Sequence, residues 1–211
     1  NINGKPSKLF NNEKKLKNTR KKLSKKIIGD FLSIISRNDD HFFILTYLPE
    51  IMQCKLELKL KQIPKFWFSI PPLRKSLNFN QRDWEIGMQC NSEFESIAKQ
   101  LIPKMIPALY LEGYHSLVGL SKNVPWPKNP KVIWTSNSVH SDDLFKVWTA
   151  EKIEAGSKLL IGQHGGHYGI GKWYFIEEHE VAISDKFFSW GWSDRKRPSI
   201  IPIGQLKNQK L

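Results

Sequence analysis

Cysteine is nearly missing from this chain of 211 residues: Cys54 and Cys90 stand far apart, with no partner motif around either. That excludes a disulfide framework and a cysteine-based zinc site. Long apolar runs are missing too. None approaches the ~18 residues that a membrane-spanning helix needs, and the opening residues are too polar for a secretory signal. The expected location is the cytoplasm. The sequence also contains neither GxxxxGK[ST] nor HExxH, so it offers no Walker phosphate loop and no zincin helix. Acidic residues are scarce at one end only. Positions 1–26 carry nine Lys, one Arg and a single Glu, whereas the remainder carries 23 basic against 19 acidic residues. The net charge of +13 therefore belongs mostly to one arm.

That lysine-rich arm is expected over residues 1–30. Leu9, Leu16, Leu23, Ile27 and Ile28 are spaced loosely enough for a basic amphipathic helix. Two readings stand: a solvated arm, or a segment drawn to anionic lipid headgroups at about 1 kcal/mol per Lys or Arg. The second would put the protein peripherally at the inner face of a membrane. Nucleic acid is not an expected partner, because Phe10 is the arm's only aromatic residue and no nucleic-acid-binding motif follows.

What the chain does contain is a globular composition, 40% hydrophobic and 25% charged, long enough to bury a sizeable core. A short strand is expected at 42–46. Pro49 suits the start of a helix running to about residue 62, with Ile51, Met52, Leu56 and Leu60 on its apolar face. The aromatic stretch 64–72 reads as a core-packing loop or an edge strand. Asn91 or Ser92 would cap a helix whose apolar face is Phe94, Ile97, Ala98, Leu101 and Ile102. The prolines at 125, 127 and 130 read as a rigid, linker-like stretch. From there strands alternate with helices: a strand at 131–135, and a helix starting near Ser141, Asp142 or Asp143 and stopped by Gly156. A strand at 159–161, a helix at 176–184, a strand at 186–189 and a last one at 200–203 follow. Such alternation predicts an α/β fold with a parallel sheet.

The organising stretch is 159–192, LLIGQHGGHYGIGKWYFIEEHEVAISDKFFSWGW. A buried strand breaks at Gly162 into a polar, glycine-rich turn, and open α/β sheets bind ligands beyond the carboxyl ends of their strands. His164 is the leading catalytic candidate, since an imidazole can take a proton from an attacking hydroxyl or donate to phosphate; the alternative is a structural histidine. Gly165 and Gly166 would let backbone amides approach an anion, with Gln163, His167 and Tyr168 lining the same turn. Ser136, Asn137 and Ser138 leave the preceding strand at an equivalent place. Trp190 and Trp192 would stack on a sugar or base, or close the core. A metal held by His164, His167 and an acid of the 177–180 run is disfavoured, and that acidic run reads as a solvated face. No metal and no cofactor are expected.

These words occur in a recognisable order. TYLPE at 46–50, IPKMIPALYLEGY at 102–114, WP-x-NPKVIWTSNS at 126–138 and DDLFKVWTAEKIEAGSKLLIGQHGGHYG at 142–169 come first. The HE at His179, DKFFSWGW at 185–192 and IPIGQLK at 201–207 complete the pattern. The chain resembles a transferase family of bacterial O-antigen and surface-polysaccharide clusters, first named from a Leptospira protein. The resemblance implies a glycosyltransferase-like protein of GT-B build, with two facing Rossmann-like domains. It implies transfer of a sugar or related group from a nucleotide-activated donor to a glycan acceptor in lipopolysaccharide assembly, with His164 as base by analogy. It further implies that residues 31–207 are a partial N-terminal domain and that the donor-binding domain is absent, so that this chain alone would be inactive. The competing expectation is a non-catalytic glycan- or membrane-surface-binding fragment.

Overall fold

The structure, a computed structural model, describes residues 37, 39–70 and 76–206. The lysine-rich arm and its expected helix lie outside the described residues. Among the described residues five strands form one parallel sheet in sequential order: β1 (Phe42–Ile44), β2 (Val132–Thr135), β3 (Lys158–Gly162), β4 (Lys186–Ser189) and β5 (Ile200–Pro202). The fold is therefore α/β and Rossmann-like, as the alternating pattern predicts. Thr135 pairs with Ile161, Gly162 with Phe188 and Ser189 with Pro202. The carboxyl ends of β2 to β5 consequently share one edge.

Strand alternation divides the apolar residues between two faces. Phe42, Ile44, Ile133, Leu159, Ile161, Phe187 and Ile200 point to one core. It is covered by Phe145 and Trp148 of α5 (Asp143–Glu154) and Val181 of α6 (Phe175–Ile183). Crossovers of one hand in sequential order put their helices on one face. Asp142 caps α5 by accepting from the Phe145 amide at 2.9 Å, and Gly156 ends it at φ +101. The opposite face carries Phe43, Trp134 and Leu206, with Leu160 and Phe188 only half-buried.

Three expectations need correction. The proline stretch is no linker: Trp126 is buried, with its ring 5.1 Å from both Phe42 and Trp148. In α1 (Glu50–Lys59) the buried residues are Gln53 and Glu57, while Ile51, Met52 and Leu58 are exposed. A polar network draws that face inward: Gln53 Nε2 donates to Glu57 Oε1 at 2.8 Å and the Lys65 amide to Glu57 Oε2 at 2.6 Å. The expected apolar face of α2 (Glu93–Met105) is likewise exposed at Phe94, Ile97, Leu101 and Ile102. Its end is held by Arg82, whose Nη1 donates to the Lys104 carbonyl at 2.9 Å and whose guanidinium pairs with Glu112 at 2.8 Å. Pro103 sits inside that helix without ending it. A further helix, α3 (Tyr114–Ser121), precedes β2, and the short α4 (Ser138–Ser141) follows it. No helix among the described residues is long and apolar enough to cross a membrane.

Candidate active site

The turn after β3 is anchored before it offers anything to a ligand. A Cβ at Gly162 would lie 2.4 Å from the Ser136 hydroxyl, which is itself buried and donates to the Thr46 carbonyl at 3.0 Å. Glycine is needed there because two strand ends touch. Gln163 is buried and spends its amide on structure. Its Nε2 donates to the Gly165 carbonyl at 2.8 Å, and its Oε1 accepts from the Trp190 amide and from Trp192 Nε1, both at 2.9 Å. One side chain thus ties the β3 turn to the loop after β4. Trp192 packs 6.0 Å from Phe187, with the Arg197 guanidinium 5.9 Å from its ring. The Ser189 hydroxyl donates to the Trp192 carbonyl.

Beyond this anchor, four polar side chains converge. Glu180 of α6 is 0% exposed. Its Oε2 accepts from the Tyr168 hydroxyl at 2.8 Å, and its Oε1 lies 2.5 Å from His140 Nε2 and 3.5 Å from His164 Nδ1. Tyr168 also lies 3.0 Å from His164 Nδ1, and the two imidazole rings are 4.7 Å apart. Burial first, then the Glu180 charge, raises the Tyr168 pKa above the ordinary phenol value. Tyr168 therefore keeps its proton at neutral pH.

The hydrogen bonds of Tyr168 bear on the tautomer of His164. A phenol has one hydrogen to give, and Tyr168 gives it to Glu180 Oε2. With that hydrogen on Glu180 the hydroxyl accepts from His164, an order that puts the hydrogen of a neutral imidazole on Nδ1 and leaves Nε2 unprotonated. The side chain of His164 is 20% exposed and that of His140 28%. A part-exposed imidazole whose Nδ1 faces a buried tyrosine and a buried carboxylate has the arrangement of a general base.

The remaining candidates divide clearly. Gly165 and Gly166 have no positive φ, and a Cβ at either would meet nothing within 4 Å. The left-handed residues of the turn are His167, at φ 71, and Gly169, at φ 76. The His167 carbonyl accepts from the Gly171 amide at 2.9 Å, and its side chain is exposed. Asn137 is half-buried at the start of α4, where its side chain caps nothing. Trp190 is half-buried and meets Gln163 through its backbone amide.

Of the cluster, His140 is no candidate in the sequence, and Glu180 enters there only as one acid of the disfavoured metal reading. The acidic run is also no solvated face: Glu177 is buried, with Oε2 accepting from the Gly169 amide at 2.6 Å and Oε1 bonded to Arg197 at 2.9 Å. The spacing of Glu177, Glu180 and Val181 on one helical face was the available signal.

His140, His164 and Glu180 each offer one donor atom, and these atoms lie within 4.8 Å of one another. Two imidazoles and a carboxylate suit a divalent transition ion. The same carboxylate is already satisfied by hydrogen bonds, so the cluster is also self-consistent as a proton-holding network. Comparison with known proteins places the chain in a family. No curated protein and no solved structure matches the chain. A family model described as the LIC12162 family transferase matches residues 2–211, taking in the lysine-rich arm as well as the histidine turn. The chain belongs to the LIC12162 family of transferases.

Proposed function

We propose that the group transferred is a sugar or a close relative, moved from a nucleotide-activated donor to a hydroxyl of a glycan acceptor during O-antigen or surface-polysaccharide assembly. The observation that carries the reading is the His164 imidazole, held through Nδ1 against the buried Tyr168–Glu180 pair with Nε2 unprotonated. In the reaction the acceptor O–H gives its proton to Nε2 while its oxygen attacks the anomeric carbon. The bond from that carbon to the donor diphosphate breaks, and the diphosphate leaves with the electron pair. Glu180 stabilises the imidazolium that forms. The open turn at Gly165 and Gly166 is the place for the approaching groups. In a GT-B arrangement a second Rossmann-like domain would hold most of the donor, and no cofactor or metal takes part.

The test uses the full-length protein. His164→Asn should lower turnover by about 10²–10⁴ while acceptor binding stays near normal. Full activity in that variant, or loss through unfolding alone, would overturn the assignment. The donor-atom cluster favours one second reading, a bound divalent ion at His140, His164 and Glu180. Stoichiometric metal in the purified protein, with activity abolished by chelation and restored by zinc, would replace the base by the ion.

A further inference from the structure

The loop joining the histidine turn to α6 exposes apolar surface in a way that the core does not explain. Trp173 is 86% exposed and Ile170 84%, the two highest values among large apolar side chains of the described residues, and Phe175 is 76% exposed. The three fall within six positions. Lys172 lies among them, with Nζ 5.6 Å from the Trp173 ring. The next loop along the same edge, between β4 and β5, adds exposed Arg195 and Lys196. The two loops are fastened together. A Cβ at Gly169 would lie 2.7 Å from the Trp192 ring, and Glu177 bonds Arg197 at 2.9 Å. The apolar tips and the three cations therefore sit on one edge of the sheet, the edge that carries His164.

We propose that the loop 170–175 is a membrane-insertion element that seats this edge on an anionic lipid surface. An exposed Trp beside a Lys is the side-chain pair that settles at a headgroup boundary: the indole buries its ring among acyl chains and the ammonium stays with phosphate. Three large apolar groups that gain nothing in water gain area by entering lipid. The charges fit the same partner. Lys172, Arg195 and Lys196 flank the tips, and positions 1–26 add ten cations to one carboxylate. Polybasic attraction and apolar insertion are the two independent signals that stable peripheral binding requires. The consequence is that the acceptor is one presented at a membrane. The inference does not depend on His164 acting as base, since it concerns where the edge rests.

The experiment separates insertion from charge attraction. The full chain is sedimented with phosphatidylcholine vesicles containing about one-third phosphatidylglycerol, at low salt and at about 0.5 M salt, where exposed charges are largely screened. Wild type should bind at both. A triple variant, Ile170→Ser with Trp173→Ser and Phe175→Ser, should lose the salt-resistant part by on the order of tenfold or more. Its circular dichroism should be unchanged, because no buried residue is altered. Brominated lipid should quench a part of the emission that Trp173→Phe removes without weakening binding. Deleting residues 1–26 should remove only the salt-sensitive part. Equal binding by the triple variant, loss of all binding on deleting the arm, or self-association in place of vesicle binding would each overturn the proposal.

Discussion

Two buried polar networks in this fold differ in one respect that separates structure from chemistry. Beside β1, Lys65 pairs with Asp40, its amide donates to Glu57, and Gln53 bridges Glu57, the Lys65 carbonyl and Thr46. Asp40, Thr46, Gln53, Glu57 and Lys65 are all buried. Burial pushes the Glu57 carboxyl above its ordinary value, against the hydrogen bonds that pull it down. Beyond β3, Glu180 is just as buried, yet the network it organises ends in two half-exposed imidazoles. Every side chain of the first network is buried. The second ends in imidazoles that solvent reaches. Buried charge marks both places, and access is what marks the site.

The sharpest way to break this comparison is to exchange the effects expected of one variant in each network. His164→Asn should cost about 10²–10⁴ in turnover and little in melting temperature, since a half-exposed side chain is removed. Lys65→Met should do the opposite. It strands the Asp40 carboxylate, and breaking a buried pair costs about 3–5 kcal/mol. At ~2–4 °C per kcal/mol for a domain of this size, the melting temperature falls by roughly 10 °C, while activity per folded molecule in the full-length protein is kept. A large drop in melting temperature for His164→Asn, or an activity loss without destabilisation for Lys65→Met, would erase the distinction.

The same two networks show what a sequence discloses. Strands β2 to β5 were legible because apolar runs such as 132–135 and 186–189 are bounded by turn residues, and the parallel arrangement followed from their alternation with helices. His164 was legible because a strand gave way to polar residues and glycines. Its partners were not. Glu180 comes 16 positions later on a helix, amid other acids, and only the docking of α6 against the sheet turns it inward. His140 sits on α4, a single turn that periodicity cannot detect. Gln53 and Glu57 misled in the same manner, because a helix reads as amphipathic from its apolar residues even when its polar face is the buried one. The lesson concerns pairing: a polar residue's burial depends on a partner far away in sequence.

Glycine requirement gives a smaller effect that also divides turn from scaffold. Gly162→Ala would drive a Cβ to within 2.4 Å of the Ser136 hydroxyl. Overpacking of this kind costs about 1–3 kcal/mol, visible as a lower urea midpoint. Gly165→Ala and Gly166→Ala meet open space and should leave the midpoint almost unchanged. Any loss they cause should appear in substrate affinity. If all three variants destabilise alike, the turn is packed rather than open.

The finest test uses pH on the tyrosine that joins His164 to Glu180. Tyr168→Phe removes the hydroxyl that donates to Glu180 and accepts from His164, at about 1 kcal/mol near neutrality. That gap should shrink as the solution becomes alkaline. Burial and the Glu180 charge raise the folded-state pKa of Tyr168 above the ~10 of an unfolded tyrosine. Below pH ~10 the phenol is protonated in both states, and its contribution is fully present. Above that, the unfolded chain releases the proton while the folded chain holds it, so wild-type stability falls with rising pH. Phenylalanine has no proton to release and does not share that loss. Urea unfolding of both proteins at pH 8 and at about pH 10.5 should therefore show the variant closer to wild type at the higher pH. A gap that stays constant would mean that the Tyr168 phenol titrates as it does in water, and the hydrogen order that leaves His164 Nε2 unprotonated would lose its support.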